Sequence, residues 1–146
     1  MSYNDSAVAE AIAQRVALIT VPAAVPAIRG ATSTPPDVLQ VLPYAIVVPG
    51  QDNITYGAAA KITSVQFTVR LYLGSPTDFA RRFPALHAYR SALRDQFLQD
   101  VTLGGLVDQA SVISTTIGQD QYGSNDFVVV EAVVEATKGE AYDSAA

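Results

Sequence analysis

Apolar residues near the start of the chain recur at Val8, Ile12, Val16 and Ile19, in steps of four, four and three that share one helical face. Alanine fills most of the gaps, and Asp5 or Ser6 is placed to cap the first turn. Val21-Pro22 closes the pattern, because the residue before proline is pushed out of the helical region. The period then changes. Tyr44-Ala45-Ile46-Val47-Val48 is a short apolar run between Pro43 and Pro49-Gly50, which predicts a buried strand. Ile54–Ala59 is a second candidate strand. From Ile62 to Leu73 the period is two: Val65, Phe67, Val69, Leu71 and Leu73 alternate with Gln66, Thr68, Arg70 and Tyr72.

Gly74-Ser75-Pro76 ends that strand and opens a helical face carrying Phe79, Phe83, Leu86, Arg90, Leu93 and Phe97. Pro84 falls inside this pattern, and the reading favours a fresh helix start there. Leu103–Val107, with its Gly-Gly pair, reads as a turn. Val112–Ile117 reads as a strand, 118–125 as a polar hairpin loop, and Phe127–Ala136 as a closing strand. That last strand is apolar on both sides. Phe127, Val129 and Val133 lie on one face; Val128, Val130, Ala132 and Val134 lie on the other. Such a strand needs cover on both faces. Either a second subunit supplies it, or the strand is central and loop 22–43 covers its far face.

The order of elements predicts an α+β fold. Its core is an antiparallel β-sheet of about four to five strands, with an N-terminal helix and a second amphipathic helix packed on it. Residues 1–137 read as a single domain and 138–146 as a flexible C-terminal tail. Residues 22–43 hold five of the eight prolines and read as a long Pro-rich loop, with one short strand near Val25–Ile28.

Composition narrows the function. The apolar fraction is 49% and the charged fraction only 16%, which suits a chain that hides surface against partners. A net charge of −5 argues against a general nucleic-acid footprint. No apolar run reaches the roughly 18 residues of a membrane helix, and Met1–Asp5 lacks the basic start of a secretory signal, so folding in the cytoplasm is expected. There is no cysteine and a single histidine, His87, in mid-helix. No nucleophile elbow, phosphate loop or calcium loop occurs. The reading is therefore no catalytic residue, no cofactor and no metal. Glu131 and Glu135 share a strand face and read as solvated.

Two features suggest protein contacts. Arg81, Arg82, Arg90 and Arg94 are clustered on the second helix, with Arg90 and Arg94 on one face. They form either a solvated face or a contact for an acidic partner. Phe127, Val129 and Val133 are the other candidates.

The order of parts resembles the tail terminator (tail completion) proteins of long-tailed bacteriophages. The residues that carry the likeness are the N-terminal helix, the Pro-flanked strand Leu42–Pro49 and the alternating strand Ser64–Leu73. The amphipathic helix, the Gly104–Val107 turn, the Tyr122-Gly123 loop and the long apolar final strand complete it. The likeness spans about residues 5–136 and is one of order and texture. It implies a structural virion protein, assembled in the host cytoplasm. It further implies a hexameric ring that caps the tail tube protein, stops its polymerisation and joins it to the head–tail connector protein, with DNA passing through the lumen. The Pro-rich stretch 22–43 has no counterpart in that pattern. Two other classes stay open: another ring-forming phage neck or tail-tube subunit, and a small cytoplasmic ligand-binding domain with a pocket lined by Tyr44, Tyr56 and Tyr72.

Overall fold

The computed structural model describes residues 3–142, and for 78–83 the backbone only. The first helix, α1 (Asp5–Val16), forms where the apolar spacing places it. Its cap is Asn4, whose side chain accepts from the Ala7 N–H, so capping begins one residue before the Asp5 or Ser6 expected. Val8, Ile12 and Val16 are buried, and Ile19, beyond the helix end, still reaches the core.

Five strands follow: β1 (Gly30–Thr32), β2 (Tyr44–Tyr56), β3 (Ala60–Gly74), β4 (Gln109–Tyr122) and β5 (Asn125–Ala141). They make one sheet in the order β1-β2-β3-β5-β4. β1 runs parallel to β2, and every other pairing is antiparallel. The fold is thus α+β, as the sequence predicts, with the short parallel β1 making the sheet mixed. The expected strand near Val25–Ile28 lies instead at Gly30–Thr32, within the Pro-rich loop.

The second helix, α2 (Phe79–Gln96), follows a 3-10 turn at Pro76–Asp78. It is one helix with Pro84 inside it, not a helix restarted at Pro84. Pro84 lies near the N-terminal end, where the missing N–H removes one bond of the ladder and the remaining turns hold. Both helices pack on one sheet face, α1 over β1 and β2, α2 over β4 and β5. The core between them joins Ala45 and Val47, then Val65, Phe67, Val69 and Leu71, then Val128, Val130, Ala132, Val134 and Ala136. Leu86, Tyr89, Leu93 and Phe97 of the α2 region close it from above.

Two strands outrun the sequence reading. β2 continues to Tyr56, past a bulge between Pro49 and Asp52, and pairs with β3 to Tyr56↔Lys61. At that bulge the Gly50 backbone lies against the Gln66 carbonyl; a Cβ there would stand 2.8 Å from the oxygen. β5 runs on through Ala141, paired with β3, so 138–141 are strand and not loose tail. The result is an arm, the β2–β3 hairpin backed by the end of β5, whose β2 strand is exposed from Pro49 to Tyr56. The β4–β5 link is also tighter than the loop 118–125 expected. Tyr122 pairs with Asn125, and Gly123 supplies the positive φ of 64° that the two-residue turn requires. Residues 143–146 lie outside the described residues.

Candidate protein-interaction surface

The sheet face away from the helices carries most of the candidate residues. Antiparallel registers set its rows, because directly paired residues point the same way. One row reads Tyr44, Tyr72, Val129 and Gly118; the next, Ile46, Arg70, Glu131 and Thr116; the next, Val48, Thr68, Val133 and Ser114. The first row is covered. Ile46, Tyr72 and Val129 are buried beneath Leu39 and Leu42 of the Pro-rich loop, with Tyr44, Tyr122 and Phe127 at the margin. Tyr72 meets Tyr122 and Phe127 edge-to-face, with centroids 5.4 and 5.7 Å apart. The Tyr122 hydroxyl donates to the Pro36 carbonyl and pins the loop to the sheet.

Of the two alternatives for covering the final strand, cover by loop 22–43 is partly realised. β5 is an inner strand, and the loop shields its Val129 end. Val133, four residues on, is half-buried between Thr68 and Ser114, outside the cover. Beyond it the face is polar: Gln66 and Glu135, then Ser64 and Thr137, whose hydroxyls hydrogen-bond at 3.2 Å.

The middle row holds the charged pair Arg70 and Glu131. The Arg70 guanidinium lies 3.5 Å from Glu131 and 4.0 Å from Asp120, while the Tyr72 hydroxyl donates to Asp120 at 3.3 Å. Each of the three charged side chains is about two-fifths exposed, so these pairs orient the row and contribute little stability, about 0–1 kcal/mol. Glu131 is thus ion-paired, whereas Glu135 shares its face without a shared partner of this kind among the described residues. Burial first, then the nearby Asp120 carboxylate, raises the Tyr72 phenol above its ordinary range. Burial, Asp37 and Tyr44 do the same to Tyr122.

On α2, Arg90 is half-buried and its Nε has no hydrogen-bond partner, while Arg94 is exposed and reaches Ser91 at 3.2 Å. The side chains of Arg81 and Arg82 lie outside the described residues. Among the described residues no group of His, Asp and Glu is arranged to hold a metal, and no helix is long and apolar enough to cross a membrane. His87 is on the exposed side of α2.

A cavity of about 380 Å³ lies at the loop, lined by Pro36–Val41 and Tyr44. The three tyrosines expected to share a pocket do not meet. Tyr44 and Tyr72 are register partners, but Tyr56 stands at the tip of the arm. There it is 68% exposed beside Ile54, 45% exposed on the same face, while Ile62, 47% exposed, points from the opposite face. Ile54 and Ile62 fall in strands, as expected, but Tyr56 stands in solvent and not in a pocket.

No family model matches the chain, and no significant match was found among curated proteins.

Proposed function

We propose that this chain is a structural subunit of a ring at the neck of a long-tailed phage, a tail terminator, and that it performs no catalysis. The observation that supports the reading is the distribution of unfinished surface. One sheet face is sealed by helices; the opposite face is sealed at one end only. The arm carries apolar side chains into solvent. A ring protomer needs surfaces for two neighbours and for the structures above and below it, and heterologous contacts supply the first two. The order of elements, which resembles that of the tail terminators from the α1 helix to the long β5, also supports the reading.

In this reading six copies sit between tube and connector, and DNA crosses the lumen. A virion reconstruction with a ring of this chain at the tube end is the expected result. A single copy, or its absence from that junction, refutes it. Charge reversal at Arg90→Glu with Arg94→Glu is expected to lower the yield of infectious particles without lowering the melting temperature.

A second reading has its own observation, the cavity under the loop, whose size is at the small end for ligand sites. It makes the protein a monomer whose melting temperature rises with a small apolar ligand. Sedimentation together with a ligand melting screen separates the two.

A further inference from the structure

The cavity of about 380 Å³ at the Pro-rich loop is tied down at both of its ends. At one end the Tyr122 hydroxyl donates to the Pro36 carbonyl. At the other, beyond Val41, the Arg29 N–H donates to the Pro43 carbonyl at 2.8 Å. Pro35, Pro36 and Pro43 each fix φ and stiffen the span between these ties. Tyr44 is the lining residue that comes from the sheet, and its ring lies where it does because Gly30 makes room for it. Gly30 is its register partner on β1, and a Cβ there would stand 2.6 Å from the ring. A wall held in this way keeps its shape without a ligand, so binding need not order the loop first.

The lining divides by chemistry. The apolar side chains of the loop fall into two pairs. Leu39 and Leu42 pack onto the cluster of Ile46, Tyr72 and Val129. Val38 and Val41 stay outside that cluster; they line the cavity and are 63% and 37% exposed. They leave apolar surface for a ligand to cover. Asp37 is the one charged residue of the lining. Its carboxylate has no ion pair and no hydrogen bond among the described residues. After burial, Asp37 is the next cause that raises the Tyr122 phenol, so its charge stands near the pinned end of the loop. Tyr44 adds an aromatic ring, whose π face favours a cation.

We infer that this cavity binds a small organic cation, a protonated amine on an apolar body. The body covers Val38 and Val41, and the ammonium meets the Asp37 carboxylate. A neutral apolar ligand leaves that carboxylate without a partner, and an anion meets it with like charge, so the lining discriminates by repulsion as well as by attraction. Ligand sites span about 300–1,000 Å³, and this cavity lies near the lower bound, which suits a small ligand. The inference rests on the second reading above for the cavity as a binding site, not for a monomer; a subunit of a ring can hold the same ligand.

Phenethylammonium, phenethyl alcohol and phenylacetate carry the same ring with a positive, a neutral and a negative group. Each is titrated into the purified full chain and followed by calorimetry and by melting temperature. The expected result is saturable binding of the ammonium, about fivefold tighter than the alcohol, which is the upper range for a solvent-exposed ion pair. Phenylacetate is expected to bind more weakly than both. Asp37→Asn is expected to bring the ammonium down to the affinity of the alcohol and to leave the alcohol unchanged. Val38→Ser is expected to weaken both. Each of these side chains is exposed, so neither change should lower the melting temperature of the free protein. Equal affinity of the parent chain for ammonium and alcohol overturns the inference and leaves the cavity reading standing. No saturable binding of any of the three sinks both. A preference for the ammonium that survives Asp37→Asn, or binding that Val38→Ser leaves unchanged, places the probe elsewhere and also overturns the inference.

Discussion

The two faces of this sheet come from the same strands and the same alternation, yet they differ in kind. The helix face is apolar at its centre, where Phe67, Val69, Leu71, Val130 and Val134 are fully buried. The far face changes character from row to row: aromatic beneath the loop, charged at Arg70 and Glu131, then small and polar. A face that must only bury surface can be uniform. A face that is partly covered and partly open has to be written residue by residue, and its divisions mark where the chain stops covering itself.

That contrast can be broken most severely from the helix side. Phe67→Ala removes a fully buried ring from the centre of the core and is expected to cost about 3–5 kcal/mol, read by urea unfolding. Phe127→Ala acts at the half-buried margin of the far face, and the expected loss is roughly 1–2 kcal/mol. Equal losses would mean that the two faces are not distinct in packing. Alkaline pH is the next probe. The Tyr3, Tyr72 and Tyr122 phenols are all raised by burial, with Asp5, Asp120 and Asp37 adding to the respective shifts. A raised phenol supports the fold fully below its unfolded value, about 10, and loses that contribution as pH climbs from there through the folded value. Stability is therefore expected to fall above pH about 10. Tyr72→Phe should flatten the fall, and an unchanged profile would detach the far face from it. The smallest effect belongs to Tyr122→Phe, which deletes the hydroxyl that holds Pro36. The expected change is about 0.5–1.5 kcal/mol, with faster proteolysis within 33–42.

How far the sequence carried this picture follows from the same contrast. β3 was legible because from Val65 to Leu73 each odd residue faces the core under the helices and each even one the opposite side. α1 was legible because its neighbours at three and four residues are all buried. The two helices and the sheet they cover were therefore within reach. The arm was legible only in part: Ile54–Ala59 read as a separate strand, but the continuation of β2 through its bulge did not show, because its side chains are exposed and hydrophobic periodicity speaks only where burial enforces it. Pro84 misled for a related reason. A proline signals a break by what it cannot donate, and near a helix start that loss is small. The far-face candidates Phe127, Val129 and Val133 were read as one set, but the loop divides them, covering Val129 and leaving Val133 beside Thr68 and Ser114.

An N-side turn shows the same local logic in charge. Asp100 feels a desolvation that opposes ionisation. The Thr102 hydroxyl, the Gly104 N–H and the Arg15 guanidinium outweigh it and hold the carboxyl below its ordinary range. One side chain thereby shapes the turn after α2 and ties it to the end of α1.

The strand order also sets a timetable. β2 and β3 are neighbours in sequence and in space, so their hairpin can close while the rest of the chain is still being made. β4 has no such opportunity. Its only partner in the sheet is β5, which is synthesised after it and must slide between β4 and the waiting edge of β3. Until then two long strand edges stand open at the ribosome, and assembly with another copy before that insertion would join the wrong surfaces. Insertion of 125–141 is thus the step that closes the sheet.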